Sequence, residues 1–223
     1  MTSIFQQALG ADFDRLHPQL RRRFGFSSAD GLACTGTGTM DRVWRGGGFT
    51  RPFLALGARR HILVPAEGRD VPFTIRNCAY RDSLGRETVT FARTFWLGGP
   101  RHWDATMVYS PERGVVVDYL GTHQHLAVDL RLSVDDRGGL VIRSGEQRLH
   151  EGALHCRIPA LLTGAAEVRE SYDEELGGFR IRVSVTNRRF GPLFGYHGTF
   201  TATYTEGDPV PATVRPLRET ASA

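Results

Sequence analysis

Two hydrophobic periods divide the chain. Between residues 3 and 24, Phe5, Leu9, Phe13, Leu16, Leu20 and Phe24 recur every three or four positions, the spacing of an amphipathic helix. Ser3 is placed to cap the first segment, Gly10 interrupts it, and Pro18 stands where a second would begin. Two short helices packing one apolar stripe against the body are therefore predicted over 3–24. After residue 30 the period shortens to two. "VPFTIRNCAY" (71–80), "ETVTFARTFW" (87–96), "DATMVYS" (104–110), "GVVVDYL" (114–120) and "HLAVDLRLSV" (125–134) follow one another as strands. "GLVIRS" (139–144), "EQRLHEG" (146–152), "AAEVRESYD" (165–173), "GFRIRVSVT" (178–186) and "GYHGTFTATY" (195–204) continue the series. "LACTGTGTMDRVW" (32–44) adds one or two more, and "DSLG", "DDRGG" and "EELGG" read as hairpin loops. So many strands joined in sequence predict a mainly β fold: an antiparallel β-barrel or strongly curved sheet, lipocalin/calycin-like in general shape, with an N-terminal helical segment closing one end.

Alternation sorts the faces. Phe179, Ile181, Val183 and Val185 oppose Arg180, Arg182, Ser184 and Thr186, a half-buried strand with a wet outer side. Leu126, Val128, Leu130 and Leu132 point inward, leaving His125, Asp129 and Arg131 outside. Tyr196, Phe200, Ala202 and Tyr204 share a face with Gly198. One strand breaks the pattern: Arg93 shares its face with Phe91, Phe95 and Leu97. A guanidinium among phenylalanines is costly unless paired. Glu170, in phase with Val168 and Tyr172, is the partner requiring fewest assumptions, with the Tyr196 hydroxyl nearby. Asp118, between Val117 and Tyr119, has an ambiguous direction.

Two segments interrupt the meander. Residues 45–65 read as a loop with a short strand around Arg60–Val64, and "CRIPALLTG" (156–164) as a helical turn or a cap over an opening. The expected organisation is one domain over residues 1–206 and a flexible, proline-punctuated tail over 207–223.

Composition narrows the function classes. The pI near 9.3 suggests nucleic acid, yet all 28 basic residues are arginine, and they are interleaved with 24 acids. Only "RRR" at 21–23 clusters, and a net charge of +4 steers weakly, so neither nucleic acid nor membrane is expected as a partner. No run approaches the roughly 18 apolar residues of a membrane span. The N-terminus lacks a basic segment followed by an apolar one, and a reducing cytoplasm is the default compartment. Cys34, Cys78 and Cys156 form no Cys-x-x-Cys pair, which suggests neither a disulfide framework nor a zinc knuckle.

Several pieces together resemble a bacterial family catalogued as domain of unknown function 4166. They are "FQQALGADFDRLHPQLRRRFG", "GTGTMDRVWRG", "ARRHILVPAEGRDVPFTIR", "ETVTFARTF", "RIPALLTGAAEVRESYD", "GGFRIRVSV" and "FGPLFGYHGTF", in order across most of residues 4–202. Family members often carry this domain behind a saccharopine-dehydrogenase-like NAD-binding domain. The resemblance thus implies a dehydrogenase as a partner in trans, beside the alternative of a homodimer. This chain has Phe91 where the family typically shows tryptophan, and "RIPALLTGAAE" lacks the family's bulkier, more proline-marked segment. No piece is a catalytic signature.

The chemistry-bearing candidates are therefore read from the residues. Arg93, Glu170 and Tyr196 are the catalytic candidates, and Phe91, Phe95, Tyr172 and Phe200 the ligand-binding ones. Either Arg93 and Glu170 form a polar plug that closes a small barrel, or they line a cavity and polarise a carbonyl or hold a carboxylate. His123 and His125 share a strand face that a metal site could use, but that face is assigned to solvent and no spacing selects a third ligand; no metal is expected. "GTGTM" and "RGGGF" precede no recognisable helix, so strand bulges or curvature explain them better than phosphate binding. The expected function is binding of a mostly apolar small molecule inside the barrel, as a cofactor-independent cyclase or isomerase of specialised metabolism. The alternative is a non-catalytic binding or docking module that carries a metabolite or partners a dehydrogenase.

Overall fold

The computed structural model describes residues 2–47, 66–151, 154–158, 163–206 and 210–221. Helix α1 (Ile4–Leu9) starts on Ser3, whose hydroxyl accepts the Gln6 amide while the Gln6 side chain accepts the Ser3 amide, a closed capping box. A 3-10 segment (Gly10–Arg15) leads to α2 (Pro18–Gly25), which has proline at its first turn. Among the described residues eleven antiparallel strands follow: β1 (Leu32–Arg45), β2 (Gly68–Arg81), β3 (Glu87–Trp96), β4 (Pro100–Ser110), β5 (Val115–Leu120) and β6 (Leu126–Val134), then β7 (Leu140–Glu151), β8 (Leu154–Arg157), β9 (Ala165–Asp173), β10 (Gly178–Asn187) and β11 (Gly191–Glu206). Pairing runs β6-β5-β4-β3-β2-β1-β11-β10-β9-β7, and β6 pairs with β7 as well, so ten strands close a barrel. β8 is an eleventh, paired to the far half of β7.

Two predicted divisions dissolve. "GLVIRS" and "EQRLHEG" are one strand, β7; the break is a bulge, where β6 steps from Val128 to Leu130 while β7 steps from Gln147 to Ser144. "LACTGTGTMDRVW" is likewise one strand, sharply coiled against β11 with a register shift between Thr39 and Arg42. Glycine is required at this bend. A Cβ on Gly38 would lie 2.1 Å from the Thr199 carbonyl oxygen, and one on Gly198 would lie 2.2 Å from that of Thr39. The glycines of "GTGTM" thus serve curvature. The expected strand around Arg60–Val64 and residues 159–162 of the expected cap lie outside the described residues.

The helices close one end of the barrel. Ile4, Phe5, Phe13, Leu16, Leu20 and Phe24 are all buried, and Phe5 packs on Phe24 and Phe91. Burying an apolar side chain of this size stabilises by about 1.5–3 kcal/mol, far more than a six-residue helix gains from its own propensity. β5 is buried on both faces, which is why alternation could not orient it. Val116 joins the main core, while Val117 and Tyr119 join Val108 and Ala127 in a small outer cluster. The tail, expected to be frayed, makes specific contacts on the barrel's outside over residues 215–220. The Thr220 and Leu217 amides donate to the Gln124 side-chain oxygen and the Thr122 carbonyl, Glu219 accepts from the Tyr80 hydroxyl, and Arg215 lies over the Tyr80 ring.

Candidate functional site

Arg93 is buried, as its phase predicted, but Glu170 is not its partner. Glu170 accepts from Arg23 Nε at 2.6 Å, and Arg23 Nη1 reaches Cys34 Sγ at 3.3 Å. Arg23 belongs to the "RRR" cluster at 21–23, and α2 carries it into the barrel end at 2% exposure. Its guanidinium lies over Phe200 at 4.9 Å and Phe179 at 5.6 Å. The strand-phase argument considered only strands; the paired cation comes from a helix. Burial pushes the Glu170 carboxyl upward against the pull of Arg23. This couple is a polar seam between plug and barrel.

Two residues along each strand, the interior changes. From the level of Glu170, Ile181 and Leu140 one reaches Val168, Val183 and Ile142, which line a cavity of about 510 Å³. Its walls come from β3–β7 and β9–β11 and are mostly aliphatic, among them Leu120, Leu126, Val128 and Val185. At the rim, Gln147 and Asn187 donate to the carbonyls of Gly164 and Thr163, each at 2.6 Å. The only charged residues among the described lining are Arg93 and Asp118.

Arg93 is held from two sides by its cross-strand neighbour Trp103. Its Nε donates to the Trp103 carbonyl at 3.0 Å, and its guanidinium carbon lies 4.0 Å from the indole centroid. That fixes the head group and leaves Nη2 buried without a hydrogen-bond partner among the described residues. Asp118 enters from β5, between Met107 of β4 and Val128 of β6, and its Oδ1 is equally unpartnered. Burial raises its pKa to about 7, with Arg93 pulling the other way and losing. Tyr196, fully buried, stands behind them against Trp103, Phe194 and Phe95. Burial raises its phenol pKa, while the charge of Arg93 and a hydrogen bond with its side chain pull it back down. Trp103, Tyr196 and Asp118 thus surround the Arg93 head group in an apolar interior, and among the described residues Arg93 Nη2, Asp118 Oδ1 and Trp103 Nε1 have no hydrogen-bond partner.

The other predicted residues sit elsewhere. Phe95 packs with Phe73 and Tyr196, Phe200 stacks on Phe179 at 5.2 Å, and Phe91 touches the plug through Phe5. Tyr172 stacks on His17 at 5.0 Å. These rings fill the closed half and are not part of the cavity wall. Sequence reasoning missed Asp118 and Trp103. The signal for Asp118 was its two-residue phase with Val116 and Leu120, masked by the buried outer neighbours Val117 and Tyr119. His125, assigned to solvent, is buried; its ring stacks on that of His123 at 5.1 Å, and its carbonyl accepts from the His150 amide. Among the described residues, no three His, Cys, Asp or Glu side chains are grouped to hold a metal ion. Likewise, no helix there is long and apolar enough to cross a membrane.

Residues 16–200 match the family described as Domain of unknown function (DUF4166). A relative from Bacillus subtilis (strain 168), "Uncharacterized protein YndH", is 33% identical over 201 residues, covering 90% of this chain and 97% of the relative. The family match runs from before α2 into β11, with Arg23, Arg93, Asp118 and Glu170 inside it. The chain thus belongs to the DUF4166 family.

Proposed function

We propose that the barrel binds a mostly apolar small molecule in this cavity, with the molecule's polar end against Arg93 and Asp118, and that it acts on it as a cofactor-independent isomerase or cyclase. The observation that carries this reading is the composition of the cavity wall: about 510 Å³ of mainly aliphatic space with two charged groups, neither paired to the other by a hydrogen bond. A non-catalytic carrier would use the same space. An acid held near neutrality in an apolar wall costs stability, however, and a carrier of apolar cargo gains nothing from it. That favours chemistry over carriage.

Fluorescence of 1-anilinonaphthalene-8-sulfonate, an apolar anion, tests the binding. The protein should enhance it saturably, and Ala166→Trp and Val128→Trp, which fill the cavity, should each abolish the enhancement while leaving the far-ultraviolet dichroism unchanged. Equal enhancement by wild type and both variants would sink the proposal.

A further inference from the structure

Resting on that binding reading, we infer that Asp118 is the proton-transferring group of the site, and that its substrate class is an apolar carbonyl compound rearranged by a proton shift with Arg93 holding the oxygen. The geometry assigns these roles. Both side chains line the same cavity, Arg93 is immobilised by the Trp103 carbonyl and ring, and each presents a buried polar atom with no hydrogen-bond partner among the described residues. Arg93 offers a fixed N–H donor where an oxyanion would develop, and preorganised donors of this kind stabilise enolates without reorganising. Asp118 offers an acceptor in a mostly aliphatic wall, and among the described residues no donor holds its Oδ1. Of the groups facing Asp118, Arg93 from β3 is the charged one; β4 contributes Met107 and β6 contributes Val128, neither of which titrates.

The chemistry balances without a co-reactant. The Asp118 carboxylate removes a proton from the carbon beside the carbonyl, so a C–H bond breaks and an O–H bond forms on Asp118. The released pair makes a C=C bond while the carbonyl π pair moves onto oxygen, where Arg93 donates to it. In a β,γ-unsaturated ketone, Asp118 then returns the proton to the γ carbon, the carbonyl re-forms, and the double bond ends in conjugation. Asp118 ends as it began. A carboxyl titrating at about 7 suits both halves, since it is a stronger base than an exposed aspartate and still a usable acid.

2-Tetralone in deuterated buffer is the probe, with NMR reading exchange of its α-protons and saturation transfer reading its binding. Wild type should bind the ketone and accelerate exchange, with a rate that rises through pH about 7 as Asp118 ionises and then levels. Asp118→Asn should still bind the ketone, while its exchange rate falls by about 100-fold or more. Arg93→Met should lower the rate by about 10-fold or more. Bound ketone that exchanges no faster than in buffer, or equally fast in Asp118→Asn, overturns the proton-transfer role and leaves the binding reading standing. Binding of the anilinonaphthalene sulfonate without binding of the ketone overturns the carbonyl class. Binding of neither overturns the underlying reading itself.

Discussion

Glu170 and Asp118 are both buried carboxyls facing an arginine inside one barrel, yet Glu170 holds Arg23 at 2.6 Å while Asp118 Oδ1 meets no donor. On β9, Val168, the next residue on the face of Glu170, already lines the cavity that holds Asp118. At the plugged end α2 brings Arg23 over Phe179 and Phe200 to the acid, and charge meets charge. At the open end the arginine is spent on Trp103, and the acid is left to a cavity. The lesson is that burial alone does not identify a functional charge. What separates the two is whether the protein supplies the carboxyl with a donor, since Arg23 Nη2 is itself buried without a hydrogen-bond partner among the described residues.

The contrast can be broken most forcefully at the satisfied couple. Glu170→Ala should strand Arg23 in the plug and destabilise by about 3–5 kcal/mol, read by urea unfolding at neutral pH, with anilinonaphthalene sulfonate binding kept in the folded fraction. Little or no loss would mean that the couple is as dispensable as an exposed ion pair.

Asp118→Asn should act with the opposite sign. The folded-state pKa of Asp118 is raised, so the native protein holds a proton that the unfolded chain releases, and the contribution of Asp118 to stability falls as pH rises from about 4 to about 7. A rise to about 7 corresponds to roughly 4 kcal/mol lost once Asp118 is ionised in both states. The variant should therefore gain on wild type across that window and hold its advantage above it. Parallel pH–stability curves for the two proteins would contradict the raised pKa.

Arg93→Met sharpens the same point from the other side. It removes one buried hydrogen bond and a cation–π contact, a loss of about 1–3 kcal/mol in thermal unfolding. It should also push the Asp118 titration higher, because the one attraction opposing burial is gone. Gln124→Ala, which severs the bridge from Thr220 to Thr106, should cost about 1 kcal/mol and leave both couples untouched. A change in cavity binding there would tie the tail to the site.

Much of the barrel was legible because strand and helix periods are local. β3 runs over the predicted 87–96, and of the inward set Leu126, Val128, Leu130 and Leu132 the first three line the cavity. The six apolar residues of 3–24 gave the plug for the same reason. The bulge in β7 was misread as a gap, since a bulge and a turn both interrupt alternation. Arg93 was legible as buried because three neighbours in phase are apolar.

Its partner was not. By itself the sequence determined which residues alternate, hence a curved antiparallel sheet, a helical stripe to close it, and one arginine on the wrong side for water. Only the tertiary structure decided that Arg23 of α2 satisfies Glu170, that Arg93 is held by Trp103, and that Asp118 faces the space left over. The reason is physical: alternation fixes a side chain's face, whereas closure and register fix its neighbours. A helix entering the barrel from outside the strand series changes which charges meet.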